Sequence, residues 1–150
     1  MFIAAEPFGM FAGLPLHPLL VHSAVVLVPL VAIGALVMSY LPSFSRRHGK
    51  LILILALVAQ GSVFLAKLSG QAFSEILNKE VEKHAQLGEI APFVTIPMVG
   101  LIYLRWRMDR AGSSTGSVAI RRLTSVALVI ASLASLVMIF LVGHSGASSV

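Results

Sequence analysis

Four stretches of this chain are nearly unbroken hydrocarbon, and their length leaves few folds open. They run over Leu19–Leu41, Leu51–Leu68, Leu87–Trp106 and Leu123–Val142. Each approaches the ~20 apolar residues that a helix needs to cross a bilayer at ~1.5 Å per residue. Of the 150 residues, 57% are hydrophobic and 11% charged, where a soluble domain would carry about a quarter charged. The expectation is a single all-α domain over residues 1–150, an integral membrane four-helix bundle with up-down-up-down order. Cysteine is absent, which excludes disulfides, thiolate metal sites and iron–sulfur clusters.

In a soluble protein a net charge of +5 would suggest nucleic acid. Here the basic residues lie between the apolar runs, so they report topology and no nucleic-acid partner is expected. "PSFSRRHGK", read as the first loop, carries Arg46, Arg47 and Lys50, and the third connection carries Arg105, Arg107, Arg110, Arg121 and Arg122. The second is mixed, with Lys79 and Lys83 against Glu75, Glu80 and Glu82. Loops one and three are therefore expected in the cytoplasm, with both termini outside a bacterial inner membrane. No basic n-region precedes the first run, so a cleavable signal peptide is not expected. Residues 1–18, with Phe2, Phe8 and Phe11, read either as a segment lying on the outer surface or as a disordered tail. Over 70–85, the spacing of Phe73, Ile76, Leu77 and Val81 predicts a short amphipathic helix on the membrane. "AGSSTGS" is a flexible linker, and no internal repeat is evident.

Lipid supplies little hydrophobic drive between helices, so small residues must let them pack closely. Ala127, Ala131 and Ser135 recur every four residues and predict such a contact face. Gln60, in mid-span, is expected to hydrogen-bond across the bundle. Pro29, Pro92 and Pro97 each remove a backbone donor.

The histidines raise the question of chemistry. Counted at ~1.5 Å per residue, His22, His84 and His144 lie roughly 27–33 Å above the cytoplasmic ends of their helices, in one slab near the outer face. His17 falls just outside that slab and, preceding Pro18, is expected outside the helix, and His48 lies on the opposite side. Lys67 and Glu89 lie slightly deeper, where they could form an ion pair. Without cysteine, histidines so placed suit a b-type haem or a Zn or Cu site. In an up-down bundle spans one and three are diagonal, making His22 and His84 the expected axial pair, with His144 or His17 as an outer partner or alternative ligand. Gly88, one turn from His84, would leave room for porphyrin, and Lys67 could meet a propionate. Three imidazoles, His22, His84 and His144, converging on one ion are the metal alternative. Glu89 sits on a different face from His84; it reads as a proton or quinone contact, or as a hydrogen-bond partner of Gln60 or Lys67. Ser145 beside His144 makes no catalytic triad, because neighbours along a helix do not face each other.

"HPLLVHSAVVLVPL", "HAQLGEIAPF" and "LVGHSGASSV" together resemble the domain-of-unknown-function family DUF2231, bacterial four-helix membrane proteins. The matching positions are His17, Pro18 and His22, then His84 and Gly88, then Gly143, His144 and Gly146. "KLSGQAF" resembles the family's Ser/Thr-Gly turn. The resemblance implies the four-helix membrane fold and no established activity. Its layout is similar to that of small cytochrome b membrane modules, which adds to the haem reading by analogy. The expected function is one-electron transfer through haem b, with lipid, a quinone, a larger redox complex or a second copy of the chain as candidate partners. The competing expectations are a Zn- or Cu-binding membrane protein and a cofactor-free accessory subunit of a respiratory or photosynthetic complex. No catalytic activity of the isolated chain is expected.

Overall fold

The computed structural model describes residues 10–11, 14–77, 82–112 and 117–147, with side chains over 17–70, 84–112 and 117–145. It consists of four helices: α1 (Leu16–Tyr40), α2 (Pro42–Leu77), α3 (Glu82–Ala111) and α4 (Val118–Ala147). Ahead of them Met10–Phe11 pairs antiparallel with Leu14–Pro15, so the described part of the N-terminal segment turns back on itself. Phe2 and Phe8 lie outside the described residues. Each helix holds a stretch long and apolar enough to cross a membrane: His17–Tyr40, Pro42–Gly70, His84–Ala111 and Val118–Ser145.

The expected cores of the spans hold, but the helices extend beyond them. Only Leu41 separates α1 from α2. Its N–H donates to Val37 O at 2.9 Å and its carbonyl accepts from Ser45 N at 3.1 Å, so one ladder hands over to the next. Pro42 opens α2, where a missing N–H breaks no intrahelical bond. "PSFSRRHGK", expected as a loop, is instead the opening of α2. In the same way α2 runs unbroken to Leu77, where a separate amphipathic helix was expected; 78–81 lie outside the described residues. At the far end of α3, Gly112 takes φ +80°, a left-handed turn that terminates a helix and that glycine adopts without Cβ strain. Ser117 then accepts from Ile120 N at 3.3 Å, capping α4.

Around the bundle the order is α1–α2–α3–α4, with α4 closing onto α1 and α1 touching α3 across one diagonal. Its interior mixes a few large apolar side chains, Met38, Met98, Ile102 and Leu128, with many small and weakly polar ones. Ala32, Ala35, Ala56, Ala59 and Ala91 are buried, together with Ser62, Thr95, Ser132 and Ser135. Many large apolar side chains face outward, among them Val26, Ile33, Phe93, Ile130 and Phe140. This is the arrangement expected when the solvent is hydrocarbon and close backbone approach, not water exclusion, holds helices together. Ala131 and Ser135 of the predicted contact stripe are both buried. The closest approaches are marked by glycine. A Cβ on Gly34 would sit 2.7 Å from Ile52 Cδ1, and one on Gly49 would run into the Trp106 indole, 2.8 Å from its Cγ.

Polar side chains tie the elements at two depths. In mid-span Gln60 Nε2 donates to Pro92 O at 3.0 Å, and Thr95 Oγ1 donates to Gln60 Oε1 at 2.7 Å. Gln60 thus joins α2 to α3, as expected. At the basic end, Asp109 lies fully buried between two guanidinium groups. Its Oδ1 accepts from Arg121 Nη2 at 2.6 Å, and its Oδ2 forms an ion pair with Arg105 Nε at 2.8 Å. Arg105 Nη1 also donates to Ser125 Oγ at 2.7 Å, locking α3 to α4. The sequence reading passed over Asp109; its signal was a lone acid inside "RWRMDR".

Candidate functional site

The polar cluster at the other end of the bundle is built from the first turns of α1 and α3 and the distal parts of α2 and α4. Pro18, early in α1, costs no helical bond there, so α1 starts at Leu16 and takes His17 into its first turn. His17 was expected outside the helix. The half-buried ring faces α2: Nδ1 lies 3.0 Å from Ala66 O and 3.1 Å from Ser69 Oγ. Ser69 Oγ donates to the same Ala66 carbonyl at 3.1 Å. A carbonyl can only accept, so Nδ1 of His17 carries the proton. Gly70 lets the ring lie this close, because a Cβ there would be 3.0 Å from His17 Cε1.

His84, in the first turn of α3, is placed in a matching way. Its Nδ1 lies 3.1 Å from Ser145 Oγ of α4, and Ser145 Oγ donates to Val142 O at 2.9 Å. The rings of His17 and His84 face each other at a centroid distance of 6.4 Å, with their planes 81° apart. Imidazoles bound through one nitrogen each to opposite sides of a metal would have centroids about 6.3 Å apart, from ~2.0–2.1 Å per metal–nitrogen bond and ~1.1 Å from nitrogen to ring centre. The observed centroid spacing is close to that distance.

The diagonal histidine pair is therefore His17 with His84, where His22 with His84 was expected. His22 is exposed, and its Nδ1 lies 2.6 Å from the Pro18 carbonyl of its own helix. The reason is angular: five residues at ~100° each turn His22 roughly 140° away from His17. His144 is likewise exposed, stacked at 6.0 Å on Phe140 of its own helix with the planes 3° apart. It borders a lateral groove between α1 and α4, lined by Val25, Pro29 and Gly143 among others. Its neighbour Ser145 points inward instead. Lys67 holds its ammonium 5.2 Å from the centre of the Phe93 ring. Glu89 is exposed on α3, on a different face from His84, as expected. A Cβ on Gly88 or Gly143 would meet nothing within 4 Å.

Among the described residues no group of three or more His, Asp or Glu is arranged to hold a metal ion. Ser69 and Ser145 had no assigned role in the sequence reading, although each stands in a Ser-Gly pair, "KLSGQ" and "GHSGA". That repetition was the available signal. It corresponds to a repeat of structure, since each helical hairpin contributes one histidine and the serine that holds it.

The sequence profile of a family described as "Predicted membrane protein (DUF2231)" matches residues 13–150. No curated protein and no solved structure matches the chain.

Proposed function

The chain belongs to the DUF2231 family of predicted membrane proteins, and from that footing we propose that it holds a b-type haem between His17 and His84 and serves as a one-electron carrier. The observation that carries this reading is the facing pair of imidazoles from diagonal helices, 6.4 Å apart, each anchored through Nδ1. A metal-binding histidine commonly gives its second ring N–H to a carbonyl or similar acceptor, which fixes the tautomer and aims the other nitrogen. Nε2 is then the ligating atom on both rings.

The number of donors favours haem over a bare ion. Zinc sites take three or four protein ligands, and the pair offers two. A haem iron brings four nitrogens of its own and asks the protein for axial ligands alone. When bound, the group supplies one-electron exchange. The chain's own part is to fix both imidazoles, with Gly70 giving the His17 ring its room and Gly88 leaving a side-chain-free flank on the His84 helix, and to exclude water with the apolar bundle. Lys67, two residues before Ser69, would be the cation for a propionate, and exposed Glu89 a proton contact. His22 and His144, outside the pair, would act at most as outer groups. With the basic ends of the helices, at residues 46–50 and 105–122, on the cytoplasmic side, the site would lie near the outer face of a bacterial inner membrane, within reach of a quinone or a larger redox complex.

The test is the optical spectrum of the purified protein before and after dithionite. A Soret band that shifts on reduction is expected, lost in His17→Ala and in His84→Ala and kept in His22→Ala. A colourless protein carrying stoichiometric zinc or copper would instead establish the metal alternative, and one with neither would favour an accessory subunit. Full haem content in both the His17 and His84 variants would overturn the ligand assignment.

A further inference from the structure

We infer that Ser69 and Ser145 are matched positioning residues, one per helical hairpin, that hold both histidines in the tautomer with the proton on Nδ1. The inference deepens the haem reading and rests on it for its spectral readout only.

The argument is a count of protons. A serine hydroxyl has one proton to donate. Ser69 gives it to Ala66 O at 3.1 Å, and Ser145 gives it to Val142 O at 2.9 Å, each three residues back along its own helix. What each hydroxyl then presents to the imidazole is a lone pair. The contacts of 3.1 Å to Nδ1 of His17 and of His84 are therefore N–H donations from the rings. Helix carbonyls point along the axis and are engaged by their own ladder. A serine bonded back to such a carbonyl turns an acceptor sideways into the bundle, where a ring on the neighbouring helix can reach it. The same device appears on α2 and on α4, the diagonal that does not carry the histidines.

The two halves differ in one respect. His17 has Ala66 O as well as Ser69 Oγ within hydrogen-bond distance of Nδ1, whereas the acceptor described for His84 is Ser145. Removing the two hydroxyls should therefore have unequal effects. Ser69→Ala leaves a carbonyl acceptor in place, and Ser145→Ala leaves the His84 N–H unanswered.

Two measurements on the detergent-solubilised full chain test this. The first is 15N NMR of histidine-labelled protein, reduced with dithionite, which reads the tautomers whether or not haem is present. His17 and His84 are expected as Nδ1–H, and Ser145→Ala should shift the His84 signals while Ser145→Thr, which keeps the hydroxyl, restores them. The second is low-temperature EPR of the oxidised protein with haem retention. Ser145→Ala should weaken haem retention about 10-fold or more, in the range seen when the outer partner of a ligating histidine is removed, and shift low-spin signal toward high-spin. Ser69→Ala should do less. Wild-type tautomers of the opposite kind would overturn the inference, as would Ser145→Ala with unchanged NMR and EPR signals. A colourless wild-type protein would overturn the haem reading, while the NMR result would still decide the role of the serines.

Discussion

At the scale of single residues, the site depends on which way two or three side chains turn. The His17 ring is held by Ser69 and the Ala66 carbonyl and packs over Gly70 of the same turn of α2. Gly70→Ala would place a Cβ 3.0 Å from Cε1 of a ring that cannot slide without losing its acceptors. The expected result is a destabilisation of about 1–3 kcal/mol, measured by reversible unfolding in detergent, together with a perturbed haem spectrum. An unchanged unfolding midpoint would mean that the ring yields freely. In the sequence, His17 and His22 were both visible. What could not be read was the phase of the helix, because Pro18 is compatible with a start at either Leu16 or Pro18. A shift of two residues in the start decides whether His17 is a loop residue or a side chain aimed at α2. Ser69 and Ser145 were harder still, since a serine in a membrane helix usually does no more than bond back to its own carbonyl, as Ser132 and Ser135 do here.

At the scale of elements, the basic end is where α3 and α4 are fastened. Asp109 has no solvent exposure, and Arg105 and Arg121 converge on it. Asp109→Asn would leave two buried or half-buried cations without their counter-charge, at a cost of about 3–5 kcal/mol, measured by the same unfolding assay. A value near zero would show that the cluster is solvated in the membrane-bound protein. The mid-span link is weaker: Gln60→Leu should cost about 0.6–1.7 kcal/mol, the range measured for hydrogen bonds between membrane helices. The helices themselves were legible because lipid imposes a length and a composition on each span. Their ends were less so. Arg46, Arg47 and Lys50 read as a loop because charge interrupts the apolar pattern there, yet α2 already begins at Pro42 and carries them in its first turns. Charge marks where the membrane ends, and only backbone geometry marks where the helix ends.

For the whole molecule, four helices long and apolar enough to cross a membrane, with many large apolar side chains exposed, suit a hydrocarbon solvent, and the uneven basic residues predict a direction within it. The absence of native cysteine makes that direction easy to test. In intact cells, Ala85→Cys, exposed near the start of α3, should react with a membrane-impermeant maleimide, and Arg46→Cys should not. The reverse pattern would invert the proposed orientation. The architecture also fixes an order of events during biosynthesis. His17 leaves the ribosome well before Ser145. A nascent chain with three inserted spans already owns both histidines but lacks the group that holds His84 in place. On the haem reading proposed above, ligand capture would wait until the second hairpin is complete, so that the finished bundle, and not a partly inserted one, would be the form that loads.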